Sequence, residues 1–496
     1  MDIRELETDL TEILADMTAS EGLINTLTAG VHPDHRLSAK NLIRYLILRS
    51  TDLRAYHGLL SDLGLSSLRT AEGYVYSNLF QVVRNLSLIR GEAFTHQPDV
   101  EIIGYMRSLE LLRTHSDTLF QAGGEGRSRI MVTLPADAAD DASVVRDLAR
   151  HGMDIARINL SHDDEEEWEA MVAHVREAGE RVGRHIPIYM DLAGPKLRTG
   201  DIAYREKGGK VKGSLPVQVG DRIHLRKSSS GIRIKKTDRV IPVDVDAVVD
   251  DARLDDRILF DDGLVMGRVV GRQAYQIEIE LLECHKAKIG SEKGINLPET
   301  RLDLPSLTDK DLADLPFVCR HADLVGYSFV RTAEDVRRLH AELERHAGGQ
   351  VGVVLKIENQ EAFDHLPDIL LAGMERSRVG VMVARGDLAV EIGFERIAEV
   401  QNEILWLCEA AHIPVVWATQ VLDNLAKTGI PTRAEISDAA QSAQAECVML
   451  NKGPNIRAAV RLLQGILTRM EGHATKRKSE LRALNVARAG LERLRG

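Results

Sequence analysis

Two short segments place lysine and acidic side chains at the ends of apolar runs, where a metal ion and a phosphate group could be handled together. LKIEN at 355–359 carries Lys356 and Glu358, and MVARGDL at 382–388 carries Asp387. Each follows or contains a valine-rich run that predicts a buried parallel strand. Charged side chains at the carboxyl ends of such strands commonly carry the chemistry of α/β proteins, and carboxylate oxygens suit Mg²⁺ or Mn²⁺. The alternative interpretation is a set of ion pairs that closes off the strand ends.

The strands that must position these residues alternate with helical segments on both sides of a β-rich stretch. Three strand-like runs precede this stretch: RIMVTL, DIARINL and HIPIYMDLA. Five follow it: DLVGYSFV, VGVVLKIE, VGVMVAR, IPVVWAT and ECVML. Eight strands alternating with helices predict an α/β fold, the (β/α)8 TIM barrel. The stretch between them predicts a small β domain inserted after the third strand.

The amino-terminal part of the chain has the apolar spacing of helices and lacks the alternation of strands and helices. Apolar residues at Ile3, Leu6, Leu10, Ile13 and Met17 follow helical spacing, so residues 1–125 predict an all-α domain without a catalytic constellation. The basic segment from 475 to 496 predicts a helical tail. The predicted divisions are 1–125 (helical domain), 126–199 (first part of the barrel), 200–303 (β insert), 304–474 (second part of the barrel) and 475–496 (tail).

Composition excludes several classes of protein. The 496 residues carry a net charge of −11, which argues against a nucleic-acid binder and requires a local positive pocket for any anionic substrate. The sequence predicts no signal peptide, and no apolar run approaches the length of a membrane span. The four cysteines are widely spaced, so neither disulfides nor a zinc site is predicted. A cytoplasmic protein is expected.

Nine motifs, taken in their order along the chain, resemble the pyruvate kinase family. They are RIMVT (129–133), GMDIARINLSH (152–162), IYMDLAGPKLRTG (188–200), DDGLV (261–265), SEKGINLP (291–298), LPSLTDKDLADL (304–315), DLVGYSFVR (323–331), WATQVLDNL (417–425) and PTRAEISDAA (431–440). The resemblance spans roughly residues 129–470. It implies a barrel whose β insert acts as a lid, and Mg²⁺-dependent phosphoryl transfer from phosphoenolpyruvate to ADP, giving pyruvate and ATP.

The resemblance also implies a role for individual residues. Glu358 and Asp387 match the ligands of the divalent ion, Lys356 and Arg157 match the groups that face the transferred phosphoryl, and Thr419 matches the threonine that orders a water for proton transfer. Substrate carboxylate would bind at the backbone of Ala384, Arg385, Gly386 and Asp387. His162, Arg198 and Lys293, together with Asp262 in the lid, match positions near the nucleotide.

Lys196 is the most informative departure from the family pattern, because potassium-dependent members carry glutamate there. Asn159, Ser161, Asp191 and the carbonyl of Leu192 correspond to the potassium ligands. The Lys196 ammonium would supply the charge of potassium, so activity without K⁺ is predicted. The loops expected near the nucleotide, at 133–136 and 451–454, also depart from the family pattern. The usual carboxyl-terminal regulatory domain of the family is expected to be missing.

Two other functions stay open at this point. The altered loops at 133–136 and 451–454 would suit a protein that binds phosphoenolpyruvate as a sensor without efficient catalysis. A lyase or mutase on a related barrel would also use a carboxylate-bound Mg²⁺, although the insert and its SEKGINLP exit argue against it. Phosphoenolpyruvate and ADP or ATP are the expected ligands, and a homo-oligomer, preferably a dimer, is the expected assembly.

Overall fold

The computed structural model describes residues 2–95, 100–121, 128–205, 211–302, 304–471, 473–475 and 478–479. The chain begins with six α-helices. They are α1 (Ile3–Ala19), α2 (Glu21–Leu27), α3 (Arg36–Arg49), α4 (His57–Asp62), α5 (Val75–Ile89) and α6 (Tyr105–Phe120). Leu6, Leu10 and Met17 of the predicted α1 stripe are buried, and α1 packs on α3 and α5, so the expected helical domain is present.

Three strands and two helices then form the first part of a barrel. They are β1 (Arg129–Thr133), α7 (Ala142–His151), β2 (Ile155–Asn159), α8 (Glu165–Val182) and β3 (Ile188–Asp191). Helix α8 begins at a capping box between Asp164 and Glu167 and ends at Gly183, whose φ of +70° suits glycine. These local signals determine where α8 begins and ends, and so where the chain enters β3.

We call the insert between β3 and the next barrel strand the lid domain. Its elements are β4 (Ser214–Pro216), β5 (Arg222–Lys227), β6 (Val240–Val243), α9 (Ala247–Asp250), β7 (Arg257–Phe260), β8 (Val265–Gln273), β9 (Gln276–Cys284), β10 (Lys288–Gly290) and β11 (Ile295–Asn296). Six of the strands form a sheet in the order β11-β7-β8-β9-β5-β6, and β4 pairs with β10. The lid domain has an apolar core of its own, separate from that of the barrel.

The second part of the barrel supplies five more strands. The elements are α10 (Asp309–His321), β12 (Leu324–Tyr327), α11 (Ala333–Arg345), β13 (Gly352–Ile357), α12 (Gln360–Asp364), α13 (Leu366–Gly373), β14 (Val379–Ala384), α14 (Arg385–Ile392), α15 (Ile397–Ala410), β15 (Val415–Ala418), α16 (Asp423–Thr428), α17 (Arg433–Gln441), β16 (Cys447–Leu450) and α18 (Ile456–Glu471). The strands β1, β2, β3 and β12–β16 close into an eight-stranded parallel barrel. The predicted α/β barrel with a β insert after its third strand is therefore confirmed.

Helix α6 joins the helical domain to the floor of the barrel. Leu119 and Phe120, its last residues, are fully buried in a cluster with side chains from the inside of the barrel, among them Met131 and Val354. Arg378 donates to the carbonyls of Thr118 (3.1 Å) and Leu119 (2.9 Å) at the helix end. The helical domain therefore closes the end of the barrel opposite to the carboxyl ends of the strands.

The predicted basic tail falls almost wholly outside the described residues. Its described residues lie in β17 (Ala474–Thr475) and β18 (Lys478–Ser479), two short strands that pair antiparallel. Among the helices that the structure describes, none is both long enough and apolar enough to cross a bilayer.

Candidate active site

Lys356 lies at the centre of a buried polar cluster at the carboxyl ends of the barrel strands. It is near the end of β13, and its Nζ lies 3.1 Å from Asp191 Oδ2, 2.7 Å from Ser328 Oγ and 3.1 Å from Glu358 Oε1. Burial alone lowers the pKa of a lysine, but the carboxylates of Asp191 and Glu358 outweigh it and raise the pKa of Lys356. The side chain is therefore held as an ammonium.

Arg157 approaches the same aspartate from β2. Its Nη2 and Nε donate to Asp191 Oδ2 at 2.5 and 3.2 Å, and its Nη1 donates to Thr133 Oγ1 at 2.8 Å. Burial opposes ionisation of Asp191, but Lys356 and Arg157 lower its pKa below the usual value. Asp191 was predicted from the sequence as part of a potassium site. The structure makes it the shared anchor of the two cations that were predicted to face phosphate.

Glu358 and Asp387 are the two carboxylates predicted to hold the divalent ion. Glu358 follows β13 and accepts a bond from the Phe329 amide at 2.7 Å, and Asp387 lies in the first turn of α14. Burial raises the pKa of Glu358, Lys356 opposes that rise, and the nearby charge of Asp387 adds to it. Two hard carboxylates that repel each other suit Mg²⁺ or Mn²⁺. The described residues contain no cluster of three metal-binding side chains, so substrate and water oxygens would complete the shell.

The turn from β14 into α14 lies against the segment after β15. The amide of Gly386 donates to Thr419 Oγ1 at 2.8 Å. Arg385 donates to the carbonyls of Ala418 (3.1 Å) and Thr419 (2.6 Å), and it forms an ion pair with Asp438 of α17. The predicted carboxylate-binding turn and the predicted proton-transfer residue are thus brought together.

In the predicted potassium site, Asn159 at the end of β2 is paired in register with Asp191 at the end of β3. Asn159 Oδ1 accepts from the Ser161 amide at 3.1 Å, and the Leu192 carbonyl accepts from Ser328 Oγ at 2.7 Å. In the part of the chain that is described, the ammonium of Lys196 contacts neither Asn159 nor Ser161. It lies 2.7 Å from Asp387 Oδ1 instead.

Two of the predicted nucleotide residues lie along the cleft between the barrel and the lid domain. His162 and Arg198 both line a cleft of about 710 Å³ that also includes Lys227 and Asp244. Burial lowers the pKa of His162, and the positive charge of Lys452 lowers it further, which favours the neutral imidazole. Lys293 does not line this cleft; its Nζ lies 3.7 Å from Asp261. Asp262 lies beside the returning lid segment, close to Gly294.

A second cavity, of about 310 Å³, lies where the lid domain joins the barrel. Its walls include Lys196, Asp387 and Glu391. Asn296, in the chain segment that returns from the lid domain, donates to Glu391 Oε1 at 2.7 Å. Burial raises the pKa of Glu391 to about 7, against the effect of the Asn296 hydrogen bond.

Sequence reasoning missed four polar groups: Thr133 and Ser328, which bond the cations of the cluster, and Asn296 and Glu391 at the second cavity. Ser328 follows β12 within the DLVGYSFVR motif, so a polar residue after a buried strand was the available signal. Asn296 and Glu391 gave none, because their contact joins segments 95 residues apart.

These observations define a lidded (β/α)8 barrel with a charged cluster at the carboxyl ends of its strands. Residues 126–455 match the model of the pyruvate kinase barrel domain. The chain belongs to the pyruvate kinase family.

Curated relatives agree with this assignment. The chain is 35% identical to the pyruvate kinase of Geobacillus stearothermophilus over 320 residues, which are 64% of this chain and 51% of the relative. It is 35% identical to that of Mycobacterium intracellulare over 361 residues, 70% of this chain and 71% of the relative. It is 32% identical to pyruvate kinase 1 of Trypanosoma brucei brucei over 340 residues, 67% and 64%. The chain spans about half the length of the Geobacillus stearothermophilus relative and of three further curated pyruvate kinases.

Proposed function

We propose that this protein transfers the phosphoryl group of phosphoenolpyruvate to ADP, with Mg²⁺, and so forms pyruvate and ATP. The observation that carries the proposal is the cluster of Lys356, Arg157 and Asp191 beside the carboxylates of Glu358 and Asp387. It combines two fixed cations for a phosphoryl group with two oxygen ligands for a metal ion. Phosphoryl transfer depends on such positioning and charge stabilisation.

Lys356 and Arg157 would bind the phosphoryl group through the sides of their cations that face away from Asp191. Because Asp191 already fixes both side chains, they would lose little conformational freedom when the phosphoryl group binds. During transfer the bond between phosphorus and the enol oxygen breaks, a bond to the terminal phosphate oxygen of ADP forms, and the enolate carries the negative charge left behind. Glu358 and Asp387 would hold the divalent ion, and this ion would neutralise the negative charge of the enolate.

Thr419 and the first turn of α14 would act on the other end of the substrate. The backbone of Ala384, Arg385 and Gly386 opens a helix, and its amides suit the carboxylate of phosphoenolpyruvate. Thr419, bonded to the Gly386 amide, would position the water that delivers a proton to the methylene carbon. The enolate thereby becomes pyruvate.

Activity without potassium belongs to the same proposal. Lys196 supports it, since its ammonium lies in the site, 2.7 Å from Asp387. His162, Arg198 and Lys293 are proposed for the nucleotide. The cytoplasmic location and the homodimer predicted from the sequence also remain proposals.

Lys356→Met tests the assignment. Pyruvate formation from phosphoenolpyruvate and ADP should fall by at least about 10²-fold, because a preorganised cation at the transferred group is lost. Mn²⁺ binding should persist, since Glu358 and Asp387 remain. Lys310→Met removes a half-exposed lysine paired with Asp314 and serves as the control.

Three other results would contradict the proposal. If Lys356→Met loses both Mn²⁺ binding and activity, Lys356 is a structural ion-pair partner and not a catalytic group. Binding of phosphoenolpyruvate by the unaltered protein without turnover would indicate a sensor. Pyruvate release from a hydroxy-keto acid without nucleotide would indicate a lyase.

A further inference from the structure

Both carboxylates proposed as metal ligands already face a lysine ammonium. Glu358 Oε1 lies 3.1 Å from Lys356 Nζ, and Asp387 Oδ1 lies 2.7 Å from Lys196 Nζ. The two lysines differ in their surroundings. Lys356 is buried on a barrel strand with three polar partners, whereas the side chain of Lys196 is 28% exposed. Within the described residues, Asp387 is the one polar partner of the Lys196 side chain.

Lys196 also lies on the segment that leads from β3 into the lid domain. Its side chain passes close to Gly294 on the returning segment, where a Cβ would lie 3.6 Å from Lys196 Cε. One turn further along α14, Glu391 accepts the hydrogen bond from Asn296. Asp387 and Glu391, four residues apart on one helix, therefore each hold one of the two segments that connect the lid domain to the barrel.

We propose that Lys196 competes with the divalent ion for Asp387, so that metal binding displaces the ammonium and releases one of these two contacts. The proposal rests on the proposed function only in taking Glu358 and Asp387 as the metal site. An ion bonded to Oδ1 would share that oxygen with the ammonium, which lies 2.7 Å from it, and the two cations would repel each other. An ion on the other oxygen of Asp387 would still lie within a few ångströms of the ammonium and be repelled by it. In both cases the lysine weakens metal binding in the absence of substrate.

Lys196 would thereby have a different role in the metal-free and in the metal-bound site. Without metal it neutralises Asp387 and ties the outgoing lid segment to α14. With metal bound it is free to turn towards the substrate. The Asn296–Glu391 contact persists in both states, because neither residue is a proposed metal ligand.

Mn²⁺ binding, followed by electron paramagnetic resonance of the free ion, tests the competition. The full chain is used without phosphoenolpyruvate, nucleotide or potassium. Lys196→Met should bind Mn²⁺ about tenfold more tightly than the unaltered protein, the ratio that corresponds to a coupling of roughly 1.4 kcal/mol. Lys427→Met, which removes an exposed lysine paired with Asp423, should leave the affinity unchanged.

Two further variants separate charge competition from other causes. Asn296→Ala loosens the second lid contact without freeing Asp387, so it should not tighten Mn²⁺ binding. In an Asp387→Asn background, Lys196→Met should no longer tighten binding, because the shared ligand is gone.

Equal or weaker Mn²⁺ affinity in Lys196→Met would overturn the proposal, as would equal tightening in Asn296→Ala. Persistence of the Lys196→Met effect in the Asp387→Asn background would do the same. Thermal unfolding of each variant establishes that it is folded. Since the measurement uses neither substrate, its outcome is independent of whether the protein makes pyruvate.

Discussion

Asp191 is the residue on which the charged cluster depends. Its side chain is 2% exposed, yet it bonds both Lys356 and Arg157, and Tyr189 donates to its other oxygen at 3.0 Å. Buried charges are costly unless they are paired and hydrogen-bonded. The sequence predicted Lys356 and Arg157 as phosphate-facing cations, but the shared carboxylate between them requires the closed barrel. There β3 lies next to β2, and β12 alone separates β3 from β13.

Glu391 gives a pH-dependent prediction at the same scale. Burial raises its pKa from 4.5 to about 7. A carboxyl whose pKa is raised on folding contributes stability below its unfolded pKa, and that contribution is lost as the pH rises through the folded pKa. Glu391→Gln imitates the protonated form and can still accept from Asn296.

The Glu391→Gln variant should therefore unfold at a temperature about 1–3 °C higher than the unaltered protein at pH 8, and at an equal temperature near pH 5. Thermal unfolding by circular dichroism at several pH values checks this. Glu399→Gln, on the exposed side of α15, is the matched control. If the unfolding temperatures of Glu391→Gln and the unaltered protein differ by the same amount at pH 5 and pH 8, burial of the Glu391 carboxylate does not destabilise the protein. That result would contradict the prediction.

At the scale of elements, the segment after β15 adopts a conformation that the sequence does not reveal. Thr419, Gln420 and Leu422 have φ values of +63°, +58° and +48°, although none is glycine. Such residues are uncommon and cost energy unless the surroundings hold them. Arg385 does so: it bonds the carbonyls on both sides of the first strained residue, stacks 4.8 Å from the Trp417 ring and is anchored by Asp438.

Arg385→Lys should loosen this segment, because an ammonium cannot make the planar set of contacts that the guanidinium makes. With Thr419 misplaced, kcat for pyruvate formation should fall about tenfold, and KM for ADP should change little. Asp438→Asn, which keeps the arginine, should have a smaller effect in the same direction. An unchanged kcat in Arg385→Lys would show that Arg385 does not position Thr419.

Helix α6 and the barrel floor form a second element-scale unit. Leu119 fits between β13 and β14 because Gly352 and Gly380 leave room: a Cβ on Gly380 would lie 2.5 Å from Leu119 Cδ2 and 3.2 Å from the Pro414 carbonyl. The sequence predicted a helical domain over residues 1–125, which includes α6. It could not predict that the end of this helix closes the barrel, since that packing joins residues more than 200 positions apart.

Two substitutions test this packing. Leu119→Ala should destabilise the protein by about 2–5 kcal/mol through a cavity, and Gly380→Ala by about 1–3 kcal/mol through overpacking. The double variant should be more stable than the sum of the two effects predicts, because the shorter side chain relieves the clash. Denaturant unfolding of the four proteins checks this. Strict additivity would contradict the contact.

At the scale of the whole molecule, the eight barrel strands, their order and the inserted lid domain were predictable. Valine-rich runs such as VGVVLKIE and VGVMVAR alternate with amphipathic helices, and an interruption of short β segments stands between the third and fourth strands. How the helical domain attaches was not predictable. It depends on buried polar contacts such as those of Asn41, whose side chain donates to the carbonyls of Glu72 and Ala410 at 2.8 Å.

The most direct measurement of the central claim is pyruvate formation from phosphoenolpyruvate, ADP and Mg²⁺ in buffer free of K⁺ and NH₄⁺, repeated after addition of K⁺. The full chain should turn over without K⁺ and gain less than about twofold from it, since Lys196 supplies a cation in the site. Lys196→Glu should be at least about tenfold slower without K⁺ and recover when K⁺ is added. No turnover of the full chain under either condition, or a Lys196→Glu variant that is equally active without K⁺, would contradict the account.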